Sequence, residues 1–168
     1  MSHKMSIVAF FYGRVVYYKY KSLIFYMNFS QSELEHYSFL WSEARLAIAA
    51  VALFLGGTPP LLKILPVAPV GTLLTLAWLV SGAASCYLLY RWFQNDKKVF
   101  GGKESSDTAA FFVSVVSGIN LGFVALLQTN IGMNISSSYG IFVLTAIIYL
   151  IAAWHLYQRW NASHQRIF

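Results

Sequence analysis

The sequence predicts an all-α integral membrane protein, a single four-helix transmembrane bundle with both termini on the cytoplasmic side. Three observations carry that prediction. First, of 168 residues 58% are hydrophobic and 11% charged, with a mean hydropathy of +0.57, whereas a soluble domain carries roughly 25% charged residues. So few charges cannot cover a soluble surface of this size, and the high hydrophobicity excludes a disordered chain. Second, long stretches contain no Asp, Glu, Lys or Arg at all, the clearest being Thr108 to Gln158. Third, basic residues concentrate in the segments that a four-crossing topology places on one side.

Residues 1–26 differ from the remainder: they hold Lys4, Arg14, Lys19 and Lys21, eight aromatic residues and no acidic residue. The apolar run within them is too short to span, and no small-residue cleavage site follows it, so it does not read as a signal peptide. Two readings stand: an interfacial anchor with basic groups at lipid headgroups, or translated sequence upstream of a natural start at Met27. Residues 27–168 form the transmembrane domain in either case.

Each crossing needs about 20 mostly apolar residues. The first is predicted over 38–57. Ser32 followed three residues later by Glu35 has capping-box spacing, so the helix is expected to begin at the membrane surface, leaving Glu43 and Arg45 near the interface, where long charged side chains reach water cheaply. Gly56, Gly57, Pro59 and Pro60 interrupt the pattern. Two prolines remove two N–H donors, which favours termination there; the alternative is a helix kinked at the prolines and continuing to 65. The second crossing is predicted over 71–90, bounded by Pro69 and Arg91. The stretch after Thr108 accommodates two further crossings, 109–128 and 139–158, joined by the polar turn 129–138, which must lie at a water boundary.

Basic residues in short loops set orientation. Arg91, Lys97, Lys98 and Lys103 lie between the second and third spans, and Arg159 and Arg166 lie in the tail; only Lys63 lies in an opposite loop. The expectation is a multi-pass protein of the cell membrane, N-in and C-in. The net charge of +6 falls to +2 from Met27 onward, with eight basic and six acidic residues. It therefore reads as a topology determinant and gives no nucleic-acid signal.

Candidate functional residues are few. Ser114, Gly118 and Gly122 in the third span, and Ser81 and Ser85 in the second, repeat small side chains at i, i+4 spacing, which lets helix backbones approach closely. They are read as helix-packing residues, within the bundle or toward partners. Cys86, the single cysteine, excludes an internal disulfide and reads as a packing residue on the same small stretch. Asn120, expected near the middle of the third span with Ser117 one turn earlier, must find a partner and is either interhelical glue or part of a solute pathway. Glu43 is the one acidic residue within reach of the first span and a third pathway candidate, though Arg45 two residues on is unfavourable for a cation site. His36 and His155, both toward the cytoplasmic side, are weak candidates for haem or metal ligation; an aromatic and basic belt around His155 at a helix C-terminus is the stronger reading. No phosphate-binding glycine loop, zinc-spaced pair or nucleophile elbow is present. The expectation is a protein without catalytic residues or an obligatory cofactor, whose partners are the bilayer and other transmembrane helices. The leading functional reading is a subunit or scaffold of a membrane complex acting through small-residue faces. The alternative is a small-solute or ion transporter or channel acting as a homo-oligomer, and the third a haem- or pigment-binding subunit.

Overall fold

The computed structural model describes residues 30–65 and 67–168, so the leader 1–26 lies outside the described residues. Its elements are helices α1 (Gln31–Phe54), α2 (Pro60–Ile64), α3 (Ala68–Gln94), α4 (Ser105–Leu127), α5 (Ile131–Ile135) and α6 (Tyr139–Ala162). Four of these, α1, α3, α4 and α6, are long and apolar enough to cross a membrane. Among the described residues there is no strand, only an isolated bridge between Val99 and Gly102. The chain divides into a unit ending at Leu34 and a compact unit from Glu35 to Phe168.

The boundaries follow local chemistry. At the start of α1 a capping box forms, in a register two residues earlier than the Ser32–Glu35 spacing suggests. Ser30 N–H donates to Glu33 Oε2 (2.8 Å), and Glu33 N–H donates to Ser30 Oγ (3.3 Å). Glu35 is thereby left to pair with Arg91 Nε at 2.5 Å.

α1 ends at Phe54 without a kink. Gly57 N–H donates to Ala52 O (2.8 Å) and Gly56 N–H to Leu53 O (3.0 Å), with φ of 78° and 82° at the two glycines. This is a Schellman motif, which needs the left-handed backbone that glycine adopts most cheaply. Pro60 then opens α2 at a position where its missing N–H is harmless. The interruption at Gly56, Gly57, Pro59 and Pro60 is thus a helix stop and restart. The other three long helices extend beyond the expected 71–90, 109–128 and 139–158 at one end or both, because the polar residues flanking each apolar run remain helical.

Neighbouring long helices run antiparallel, as the pairs Glu35–Arg91, Ser85–Gly118 and Asp107–Arg159 require. The tightest packing joins α3 to α4. A Cβ on Gly82 would lie 2.7 Å from Gly122 Cα, and one on Gly118 would collide with Ser85 Oγ and lie 3.1 Å from Ser81 O. Backbone meets backbone here, which no larger residue permits.

The apolar core sits toward the end of the bundle that carries the α3–α4 loop and the C-terminus. Phe39, Leu88, Trp92, Phe111, Leu156 and Trp160 form it. The loop turns at Val99–Gly102, with positive φ at Phe100 (52°) and Gly101 (76°), as a two-residue hairpin turn of the primed type demands. The chain end closes over it. Phe100 N–H donates to Ile167 O at 2.7 Å, and the Phe168 ring meets Phe111 edge-on at 6.0 Å.

Candidate functional site

Two clusters of buried polar groups stand out in a molecule with so few charges. The first lies partway along the bundle. Glu43 sits about 18 Å along α1 from its start, at 1.5 Å per residue, and is 9% exposed; Arg45 is 7% exposed. α1 begins at Gln31, one residue before the Ser32 start that the capping-box spacing suggests, and Glu43 and Arg45 lie in its middle third with their side chains turned toward α4.

Arg45 Nη1 donates to Ser117 Oγ (2.9 Å), and Nη2 donates to Ser114 O (2.7 Å) and Ser114 Oγ (3.4 Å). Ser114 Oγ also faces Glu43 Oε1 at 3.4 Å. Among the described residues no ion pair joins Glu43 to Arg45, and Ser114 stands between them. The cluster is incompletely satisfied: Ser42 Oγ, Glu43 Oε2 and Arg45 Nε are buried without a hydrogen-bond partner, as are Ser85 Oγ at the α3–α4 contact and the Trp92 and Trp160 Nε1 groups in the apolar core. Such orphans are uncommon because each carries a desolvation penalty.

Beside the cluster, between α1 and α6, runs an open groove of about 300 Å³ lined by Glu43, Ala47, Leu150, Ala153, Trp154 and Tyr157. Glu43 thus borders α4 on one side and the groove on the other.

The second cluster lies at the end of the bundle. Asp107, in the first turn of α4, is fully buried. Its carboxylate accepts from Arg159 Nε at 2.9 Å to each oxygen, from Arg159 Nη2 at 2.8 Å, and faces His155 Nε2 at 2.7 Å. Glu104 adds an outer ion pair to Arg159 at 3.4 Å. Every acceptor position on Asp107 is well used, and α4 is fastened to the last turns of α6.

The other sequence candidates distribute as follows. Ser81, Ser85, Gly118 and Gly122 meet at the α3–α4 contact, with Gly82 as the residue opposite Gly122. Ser81 also accepts from Trp41 Nε1 at 3.0 Å, which draws α1 to α3. Ser114 serves Arg45 and Glu43. Cys86 is exposed, one position round the helix from the contact that Ser85 occupies; the small-residue stretch misplaced it by 100° of helix rotation.

Asn120 does not join Ser117 and Glu43. It lies in the second half of α4, where its Nδ2 donates to Asn130 Oδ1 (3.0 Å) and its Oδ1 accepts from Ile131 N–H (2.9 Å), lacing the α4–α5 link. The Asn130 side chain in turn accepts from Met133 N–H at 3.2 Å and caps α5. His36 packs its ring against Trp160 at 5.3 Å, whereas His155 is engaged by Asp107. Among the described residues no group of three or more His, Cys, Asp or Glu is placed to hold a metal ion.

Sequence reasoning missed the Asp107 cluster. Asp107 immediately precedes the charge-free stretch and was assigned to the loop. The signal lay in Asp107 and Arg159 bracketing that stretch, at the ends that an antiparallel hairpin of two helices brings together.

Comparison of the chain with protein-family models, with curated proteins and with solved structures finds no match.

Proposed function

We propose that the chain is a multi-pass membrane protein, N-in and C-in, that binds a small solute at the Glu43 cluster and acts as a transporter-type protein for it. The observation that carries this reading is the unsatisfied polar core. An ionisable side chain in a membrane-spanning helix is expensive and is a functional candidate by default, and here two are buried together with Glu43 Oε2, Arg45 Nε and Ser42 Oγ lacking partners. A solute with matching donors and acceptors completes that set. A purely structural pair would be expected to resemble the closed arrangement around Asp107.

The test is thermal unfolding of the purified full chain against a panel of small cationic, anionic and neutral solutes. The reading expects at least one solute to raise the unfolding temperature of the wild type and to lose that effect in Glu43→Gln. No stabilising solute, or stabilisation unchanged in the variant, would sink it. Orientation is checked separately on a Cys86→Ala background. A membrane-impermeant maleimide applied to intact cells should label Ser137→Cys and spare Ser105→Cys; the reverse pattern would invert the topology.

A subunit or scaffold role is the second reading. It is favoured by α6, whose Ile141, Leu144, Ile148 and Ile151 all face outward. The small-residue faces that first suggested it are occupied within the chain by the α3–α4 contact, so partner helices would have to dock on large side chains. Stoichiometric partners retained through mild-detergent purification from native membranes would favour it over the transporter reading.

A further inference from the structure

We propose that the end of the bundle carrying the α3–α4 loop and residues 163–168 is a gate to the Glu43 cluster, closed by an apolar layer and latched by the contact between loop and tail. The inference rests on the reading of that cluster as a solute site and adds how a solute gains entry.

The unpartnered Glu43 Oε2, Arg45 Nε and Ser42 Oγ are all shut off from solvent, so a solute reaches them only when the bundle opens. Toward the loop end they are covered by a layer to which each long helix contributes one side chain. Phe39 stands one turn before Glu43 on α1, Phe111 one turn before Ser114 on α4, and Leu156 one turn beyond Ala153 of the groove on α6. Leu88 of α3 completes the layer, and all four are at most 2% exposed within one cluster. An apolar constriction of this kind excludes water and polar solutes until its side chains separate.

Two aromatic residues back the layer from outside. Phe100 of the loop meets Phe39 edge-on at 6.1 Å, and Phe168 meets Phe111 edge-on at 6.0 Å. The two supports are tied together, since Phe100 N–H donates to Ile167 O at 2.7 Å and Ile167 is buried.

The backbone leading into this latch is strained. α3 and α6 end in Schellman motifs: Lys97 N–H donates to Trp92 O and Gln165 N–H to Trp160 O, each at 3.0 Å. The left-handed residues are Asp96 and Lys97 (φ 53° and 60°) in the first and His164 and Gln165 (52° and 63°) in the second. The matching stop of α1, at the opposite end, has glycine at both positions. Residues with a Cβ adopt this backbone only at a cost, so strain opposes the burial of Ile167 and Phe168 and is relieved when the latch opens. Such strain gathers at switch segments, and it assigns the moving part to this end.

The experiment is alkylation of the full chain by iodoacetamide in phosphatidylcholine nanodiscs. Cys86→Ala removes the exposed native thiol, and Ser42→Cys supplies a buried reporter. Labelling of a buried thiol tracks the open population when reclosing is fast. Phe168→Ala should raise the rate by about tenfold, as loss of a half-buried ring implies. Gln165→Gly, which relieves strain in the closed latch, should lower it by about threefold, a direction that general destabilisation does not produce. Met133→Ala, which thins the packing over Gly57 at the opposite end, should leave it unchanged. Ser117→Cys serves as the reporter should Ser42→Cys misfold. A rate unmoved by Phe168→Ala, raised by Gln165→Gly, or raised as much by Met133→Ala as by Phe168→Ala would overturn the gate. Because alkylation uses no solute, that result leaves the solute site standing, to be judged by the thermal unfolding test alone.

Discussion

The two polar clusters are built from the same ingredients and differ in completeness. Around Asp107, a fully buried carboxylate receives Arg159 on both oxygens and faces His155, and Arg159 still reaches Glu104 at the edge. Around Glu43, carboxyl and guanidinium share a serine without pairing, and each keeps an atom unpartnered. The first arrangement repays its desolvation with geometry and holds two helix ends together. The second does not repay it from within the chain. On the proposed reading the first is kept for stability and the second is completed by a bound solute, though composition alone would treat both as rare buried charges.

Substitution can break or sharpen that contrast. The largest effect is expected from Asp107→Asn, which strips the charge from a fully buried group facing Arg159 and His155. Its unfolding temperature in detergent should fall on the order of 5–10 °C, while any solute response of the folded fraction persists. An unfolding temperature equal to the wild type would remove the distinction between the clusters.

An intermediate effect is expected at Asn120. Leucine there deletes the bonds to Asn130 and Ile131 N–H, costing about 1–2 kcal/mol or about 2–5 °C. Solute binding should be unchanged, since the lost bonds belong to the α4–α5 link. Loss of binding in Asn120→Leu would return this residue to the pathway that the sequence alone suggested.

The sequence carried the architecture because apolar runs and their interruptions are local signals. The stop at Gly56 and Gly57 was readable from two glycines followed by two prolines, and the Schellman bonds show why they end the helix. Small residues at i, i+4 spacing marked a close contact, though not that Gly82 and Gly122 would be its centre. Facing and register were harder to read. The capping box forms at Ser30 and Glu33, while Glu35 pairs with Arg91, 56 positions away. The inward turn of Glu43 and Arg45 was hidden because their partners Ser114 and Ser117 lie 71 and 72 positions away. Asn120 reads as mid-span because its partner Asn130 lies in the α4–α5 link, and an apolar count does not show that link folding back onto α4. In each case a pairing between distant positions decided the outcome, and a one-dimensional count does not contain it.

Glu43→Gln is expected to have the smallest effect on stability and the greatest on function. Glutamine keeps the side chain's shape and its contact with Ser114 while removing an ionisable carboxyl that the fold leaves half-served. The decisive measurement is the unfolding temperature of Glu43→Gln beside the wild type, with and without a solute that stabilises the wild type. The account predicts that without solute the two lie within about 2 °C, a shift below roughly 1 kcal/mol, and that only the wild type responds to the solute. A Glu43→Gln protein as destabilised as Asp107→Asn, or one that keeps the full solute response, would contradict it.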